Sequence, residues 1–298
     1  MNRFQHKLFI GFLVGPAFLI LIAVVLYPFV YNVVISFSNM NLRHIKDWAL
    51  TGPVQYIKVF TESTQPDFYT ILFKTIIWTV VNVTFHVVIG VFLALLLNQK
   101  DIKGKPLFRT LLILPWAIPQ YIVALTWRGM FNFEYGSINL LLTKYLHLPA
   151  IEWLKSPTEA FISCIIANVW LGFPFMMIIA LGALQSIPHE IYEAAAIDGA
   201  SWWHKLRHIT IPLIRPVMIP AITLGTVWTF NNLNIVWLVS NAGEPSDNTH
   251  ILVSFVYKAA FNLYRYGYAA ALSMVIFAML LTFSLFFMKK TKATEAVY

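Results

Sequence analysis

The chain has 298 residues, of which 59% are hydrophobic and only 11% charged, with a mean hydropathy of +0.70. Soluble domains carry roughly 25% charged residues, so this chain cannot clothe a water-facing surface, and a soluble enzyme or binding module is excluded. The formal net charge of +8 follows the order of the apolar segments and is not a nucleic-acid footprint.

Windows free of Asp, Glu, Lys and Arg run over 8–42, 75–99, 110–127, 160–189, 216–243 and 266–288. Each holds about 18 or more residues, enough for a helix to cross roughly 30 Å of hydrocarbon at about 1.5 Å per residue. The sequence therefore predicts an all-α membrane protein with six transmembrane helices, forming one transmembrane domain over 1–298. The longest windows are expected to continue into a re-entrant or surface segment. The first apolar run is much longer than a signal-peptide core and no small-x-small cleavage site follows it promptly, so it reads as an uncleaved span. A single cysteine, Cys164, excludes disulfides within the chain and cysteine metal clusters.

In chain order, span 1 carries Pro16 and Pro28, tolerable where neighbouring helices satisfy the freed carbonyls. Residues 38–67, with Gly52-Pro53 and Pro66, read as an outer loop. Span 2 ends at Asn98, before a short basic loop, and span 3 is expected to break or kink at Pro115 and Pro119. In the outer segment 132–159, Ser137 is placed to cap a short interfacial helix presenting Ile138, Leu141, Leu142, Tyr145 and Leu146. Span 4 ends near Gln185, span 5 near Asn241, and span 6 at Lys289-Lys290.

A cytoplasmic N-terminus places Arg3, Lys7, Lys100, Lys103, Lys105, Arg109, Lys205, Arg207, Arg215, Lys289, Lys290 and Lys292 inside, twelve of the 21 basic residues. Only Asp101, Glu190, Glu193, Asp198 and Glu295 accompany them, while the outer segments hold nine basic and eight acidic residues. The asymmetry predicts both termini on the cytoplasmic side.

The inner segment 186–216 is the most polar cytoplasmic piece. Ser186 is placed to cap a helix with Pro188 in its first turn, Glu190 and Glu193 suit its positive end, and Gly199 should stop it. A second helix carries Trp202, Trp203, Leu206 and Ile209 before Pro212. Two short helices at a sharp angle would make a plug for another protein; the residues alone allow equally an ordinary inter-span loop.

The run EAAAIDGASWWHKLRHITIPLIRP resembles the EAA motif of binding-protein-dependent ABC importer permeases, at Glu193, Ala194, Ala195, Asp198, Gly199, Ala200, Ile209, Pro212 and Pro216. Leu206 stands for the usual Phe and Ile211 for the usual Leu. WLGFPFMMIIALGALQSIP, TFNNLNIVWLVSNAGEP and FEYGSINLLL are similar to segments of the maltose-type permeases of the carbohydrate-uptake class. The resemblance implies that Glu193, Ala194, Ala195, Asp198, Gly199 and Ala200 form a coupling helix seated on a dimeric ABC ATPase, which binds the ATP and Mg. It further implies a second permease subunit, an extracytoplasmic sugar-binding protein, a sugar substrate, surrounding membrane lipid and a place in the inner membrane of a prokaryote.

Around the midpoints of spans 4 and 5 lie Phe173, Phe175, Trp228, Phe230, Asn231, Asn232 and Asn234. Amides pair with hydroxyls and flat rings with sugar C–H faces, and Trp228 and Asn232, four apart, would share a helix face. Intramembrane Asn is equally often interhelical glue. The maltose-type resemblance implies sugar contacts at Leu171, Gly172, Phe175, Trp228 and Asn232, with Asn231 beside them. Phe175 replaces a Tyr of that family and Thr229 an Asn, so hydrogen-bonding capacity is lost. Maltose, a different oligosaccharide, a polyol, or a site mainly on the partner subunit all stay open.

Other candidates carry less. His204 and His208 read as solvated basic-face residues and His86 as a hydrogen-bonded packing residue. No GxxxxGK[ST] phosphate loop is present, so ATP hydrolysis is expected on another chain and no catalytic or metal site on this one. A secondary solute transporter is the alternative, but the windows lack the ionisable residues that ion coupling needs. A membrane enzyme would need HExxH or paired aspartates, and neither occurs.

Overall fold

In hydrocarbon no water can satisfy a bare N–H or C=O, so apolar segments of this length must cross as helices. A computed structural model describes residues 3–62, 66–99 and 102–291, with side chains from Gly11 onward. Among the described residues there is no β-strand, only one isolated bridge between Ser38 and Leu50. Lys100, Asp101, Lys292 and Glu295, used above to orient the chain, lie outside the described residues, as do the side chains of Arg3 and Lys7.

Helix α1 (Arg3–Leu21) passes through a π-helical turn at Ile22–Leu26 into α2 (Tyr27–Ser36), so the first window is one long helix. The wide turn precedes Pro28, whose missing N–H would otherwise leave a carbonyl bare. Within the expected outer loop the chain forms a short helix, α3 (Val54–Thr61), which buries Gln55 and Val59. Helices α4 (Phe68–Leu97) and α8 (Pro157–Gln185) are long spans. Between them come α5 (Lys105–Ala117), α6 (Gln120–Met130) and α7 (Ser137–Lys144). Helices α9 (His189–Ile197), α10 (Trp202–Lys205), α11 (Ile211–Phe230), α12 (Leu233–Val239), α13 (Leu252–Tyr257) and α14 (Tyr266–Thr291) complete the chain.

Among the described residues, five helical stretches are long and apolar enough to cross a membrane: Gly11–Ser36, Phe68–Leu97, Pro157–Gln185, Trp202–Val239 and Tyr266–Thr291. The pair α5 and α6, bent by 92°, accounts for the remaining window. The break falls at Pro119, while Pro115 stays inside α5.

The described residues form two compact units. The first joins the helices up to α3 with the chain from Val256 to Ala278. There Gln55 Nε2 donates to the Ser38 carbonyl at 2.9 Å, Ser36 and Tyr56 hydroxyls meet at 2.7 Å, and Arg265 pairs with Glu62 at 2.5 Å.

The second unit holds α4 to Phe255 and the chain from Met279. Its spine is the α4–α8 contact, the most extensive between two helices. Close approach follows from small residues: a Cβ on Gly90 would lie 2.7 Å from the Met176 Cβ, and Ala94 and Ala180 are fully buried. Along α8, residues up to Leu171 pack with Trp78, Phe131, Ile235 and Ile251, and those from Met176 pack with Ala94, Ile214 and Met218.

Three local expectations are corrected. Gly136, not Ser137, is the N-cap of α7, because a Cβ there would collide with the carbonyls of Met130 and Asn132. The buried polar residue of that segment is Asn139, whose amide bonds Phe133 O, Ile151 N, Ile151 O and Trp153 Nε1. Ser186 closes α8, donating to Ala183 O at 2.8 Å, and the residue that caps α9 is Pro188. Pro212 does not end the helix begun at Trp202: a π-helical turn at Leu206–Thr210 absorbs it, and the helix continues to Phe230.

Replacing Gly90 by Val should cost about 1–3 kcal/mol of stability through overpacking against α8. The check is the thermal melt of the detergent-solubilised chain; a variant that melts with the parent would refute this close packing.

Candidate functional site

Two helical breaks in the second unit define its cavity. One is the Ala117–Gln120 bend between α5 and α6. The other lies between α11 and α12, where Asn231 and Asn232 leave helical geometry. The cavity they flank has a volume of about 540 Å³ and is walled by α4, α5, α8 and α11 together with both breaks. All six residues that the sequence proposed for sugar contact line it: Leu171, Gly172 and Phe175 from α8, Trp228 from α11, and Asn231 and Asn232 from the break. Phe173 and Phe230 are buried outside that lining.

Trp228 and Asn232 do not share a helix face, because α11 ends at Phe230. Two asparagines here compete for their own backbone. Asn231 Nδ2 donates to Val227 O at 3.2 Å, and Asn232 Oδ1 caps α12 by accepting from Ile235 N at 3.3 Å. They still meet in the cavity because the chain turns there.

One wall is aromatic. Phe175 stands 5.2 Å from Trp228 and 6.2 Å from Trp116, centroid to centroid. The polar residues of the lining are Gln120, Asn168, Asn231, Asn232, His86 and Thr229, with Asn234 next to it. Asn232 Nδ2 donates to Asn168 Oδ1 at 2.7 Å, Asn234 Nδ2 to Gln120 Oε1 at 2.9 Å, and His86 Nε2 to the Asn168 carbonyl at 2.9 Å. Asn168 is 2% exposed and its Nδ2 is buried with no hydrogen-bond partner among the described residues, a costly state. Among the described residues, no Asp, Glu, Lys or Arg lines the cavity.

Sequence reasoning missed Asn168, Gln120 and Trp116. Asn168 lies one turn before Gly172 and was legible as the only amide in the middle of span 4; Gln120 and Trp116 flank the Pro119 break. His86 is the packing residue it was expected to be: a Cβ on Gly172 would run into its ring. Gly172 is thus glycine because His86 occupies its side-chain space.

At the opposite end of α11, the six expected coupling residues sit on α9 and the turn that follows it. Gly199 adopts φ +75°, Ala200 N donates to Ala195 O at 2.9 Å and Gly199 N to Ala196 O at 3.1 Å. This is a Schellman closure, which needs a left-handed residue after the helix. Glu193, Ala194, Asp198 and Gly199 are exposed and Ala195 and Ala200 half-buried; Ala195, Asp198, Gly199 and Ala200 line a surface groove with Ser201, His204 and Ile209. Ile197, Trp202 and Trp203 are exposed beside them. The Tyr192 hydroxyl meets Thr210 Oγ1 at 3.0 Å, joining α9 to the base of α11. His204 and His208 are exposed and stacked at 4.2 Å.

Residues 86–291 match the family model described as binding-protein-dependent transport system inner membrane component. The chain is 34% identical to the galactooligosaccharides transport system permease protein GanP of Bacillus subtilis (strain 168), over 98% of this chain and 73% of that one. It is 35% identical to the maltodextrin transport system permease protein MalC of Streptococcus pneumoniae, over 99% and 70%. A crystal structure of a bacterial ABC transporter involved in importing the acidic polysaccharide alginate contains a chain of the same fold, with a TM-score of 0.82 at 20% identity over 98% of this chain and 99% of that one.

The His86–Gly172 contact makes a stability prediction independent of any ligand. Gly172→Ala should destabilise the solubilised protein by about 1–3 kcal/mol, and adding His86→Ala should recover part of that loss. Additive losses in the melting temperatures would show that the two positions do not touch.

Proposed function

We propose that this chain, which belongs to the family of binding-protein-dependent transport system inner membrane components, is the permease subunit of an ATP-driven importer that carries a neutral sugar or oligosaccharide into the cytoplasm. The observation that carries the sugar reading is the cavity, where an aromatic wall faces carboxamides and no charged side chain is present. Sugars bind by stacking C–H faces on rings and pairing hydroxyls with amides. The relatives named for galactooligosaccharides and maltodextrin favour this over a secondary transporter.

In this reading the whole of 1–298 is one permease domain and 186–216 its coupling loop. Glu193, Ala194, Ala195, Asp198, Gly199 and Ala200 seat against a dimeric ABC ATPase, which holds the ATP and Mg. A second permease subunit completes the pathway, and an extracytoplasmic binding protein delivers the sugar. The chain lies in the inner membrane of a prokaryote with both termini cytoplasmic, an orientation supported by Lys289 and Lys290 in the last turn of α14 and by the basic residues around α10. The chain does no covalent chemistry.

Gentle affinity purification from the native membrane tests the assembly: a phosphate-loop ATPase and a second EAA-bearing permease should co-purify. A chain recovered alone that moves solute in liposomes without ATP would overturn the reading.

Proline cannot adopt φ +75°, so Gly199→Pro should reduce uptake to background while the chain still inserts in the membrane; uptake at the parental rate would remove the coupling role. Asn168→Ala should raise the half-saturating sugar concentration about tenfold, the equivalent of one lost hydrogen bond. Unchanged saturation across a panel of neutral oligosaccharides would leave Asn168 as interhelical glue.

A further inference from the structure

His86 does more than fill the space over Gly172. Its Nε2 faces the Asn168 carbonyl at 2.9 Å, and a carbonyl can only accept, so Nε2 carries the proton. Among the described residues no carboxylate lines the cavity to compensate an imidazolium, and an uncompensated buried charge is costly. A neutral imidazole has one donor and one acceptor; with Nε2 committed, Nδ1 is the acceptor. Among the described residues Nδ1 has no hydrogen-bond partner, although His86 is 4% exposed and belongs to the cavity lining. Packing alone would require neither nitrogen.

The same residue that holds Nε2 holds an unanswered donor. Asn168 gives its carbonyl to His86 and its Oδ1 to Asn232, and its Nδ2 is buried without a partner. Two bonds thus fix Asn168 and hold the His86 ring against it.

Resting on the sugar reading above, we propose that His86 is a specificity-determining residue of this cavity, its Nδ1 accepting a sugar hydroxyl. A hydroxyl gives its proton to Nδ1. A carboxylate has no proton to give and sets its lone pairs against that of Nδ1. A deoxy or O-methyl position leaves Nδ1 unanswered. His86 thereby selects a free hydroxyl and disfavours uronates, a discrimination that buried polar groups make strongly because the wrong ligand leaves them unpaired.

The test uses the assembled importer in nanodiscs with ATP, measuring the half-saturating concentration and maximal rate of sugar-stimulated ATP hydrolysis. The probes are maltotriose, β-1,4-galactotriose, their monodeoxy series and a mannuronate trisaccharide. In the parent, one deoxy position should raise half-saturation about tenfold, and the mannuronate should not stimulate. In His86→Phe the unmodified sugar should itself weaken about tenfold at unchanged maximal rate, and the same deoxy position should then cost less than about twofold. If His86→Phe does not assemble, His86→Met carries the same comparison. A deoxy profile identical in parent and variant overturns the hydroxyl contact and leaves the sugar reading standing. A parent that responds to mannuronate and to neither neutral sugar overturns the neutral-sugar reading, and stimulation by none of these sugars overturns the sugar reading itself; this proposal falls with either.

Discussion

A backbone group freed from a helix inside a membrane has no water to turn to, and everything distinctive in this fold answers that constraint. The second unit interrupts two apolar spans at one level, at Pro119 and at Asn231–Asn232. Each interruption is satisfied by side chains. Asn232 caps α12, Asn231 bonds back to Val227, and Asn234 of α12 reaches Gln120 at the first residue of α6. The last bond ties one break to the other. A cavity opens where helices stop, because unwound backbone survives at this depth only where it is buried in protein or lines a polar space.

Close packing around the cavity has a second source in residues that lack bulk. Gly90 brings α4 onto α8 and Gly172 admits the His86 ring, so the helix carrying Trp78 and His86 lies directly behind the helix carrying Asn168. Trp78 Nε1 donates to the Thr229 carbonyl at 2.8 Å, pinning the last turn of α11 to the same helix. The result is a polar set held from three elements in a core that is otherwise apolar. Such sets specify geometry when each member is satisfied. Here two buried atoms, Asn168 Nδ2 and Asn82 Oδ1, are left without a partner among the described residues.

Much of this architecture was legible in the sequence, for identifiable reasons. Charge-free windows locate the spans because composition alone decides what lipid tolerates. Pro119 announces the α5–α6 bend and Gly199 the end of α9, since each residue type has one conformational consequence. The break at Asn231–Asn232 was not legible as a break. Asn both tolerates helices and caps them, and only the neighbouring Asn168 and Ile235 N decide which. Asn168 and Gln120 escaped notice because their role depends on partners 64 and 114 residues away. Ser137 and Ser186 were misassigned as caps because the local signal was read without the crowding at Gly136 or the extended entry at Pro188.

The coupling proposed for α9 has a mechanical corollary in the continuity of α10 and α11. From Trp202 to Phe230 the chain is helical throughout, with one π-helical turn where Pro212 removes a donor. At about 1.5 Å per residue this rod spans roughly 40 Å, and Tyr192 bonds α9 to its base through Thr210. A displacement of α9 would therefore reach Trp228 as motion of one stiff body. Beyond Phe230 the rod ends, and α12 is held to α8 and α6 by Asn232–Asn168 and Asn234–Gln120. Rotation of α11 would then move Trp228 past Phe175 and the carboxamides, which stay behind. A break at Asn231–Asn232 permits that motion; a continuous helix through span 5 would carry Asn232 along with Trp228 and pull it from Asn168.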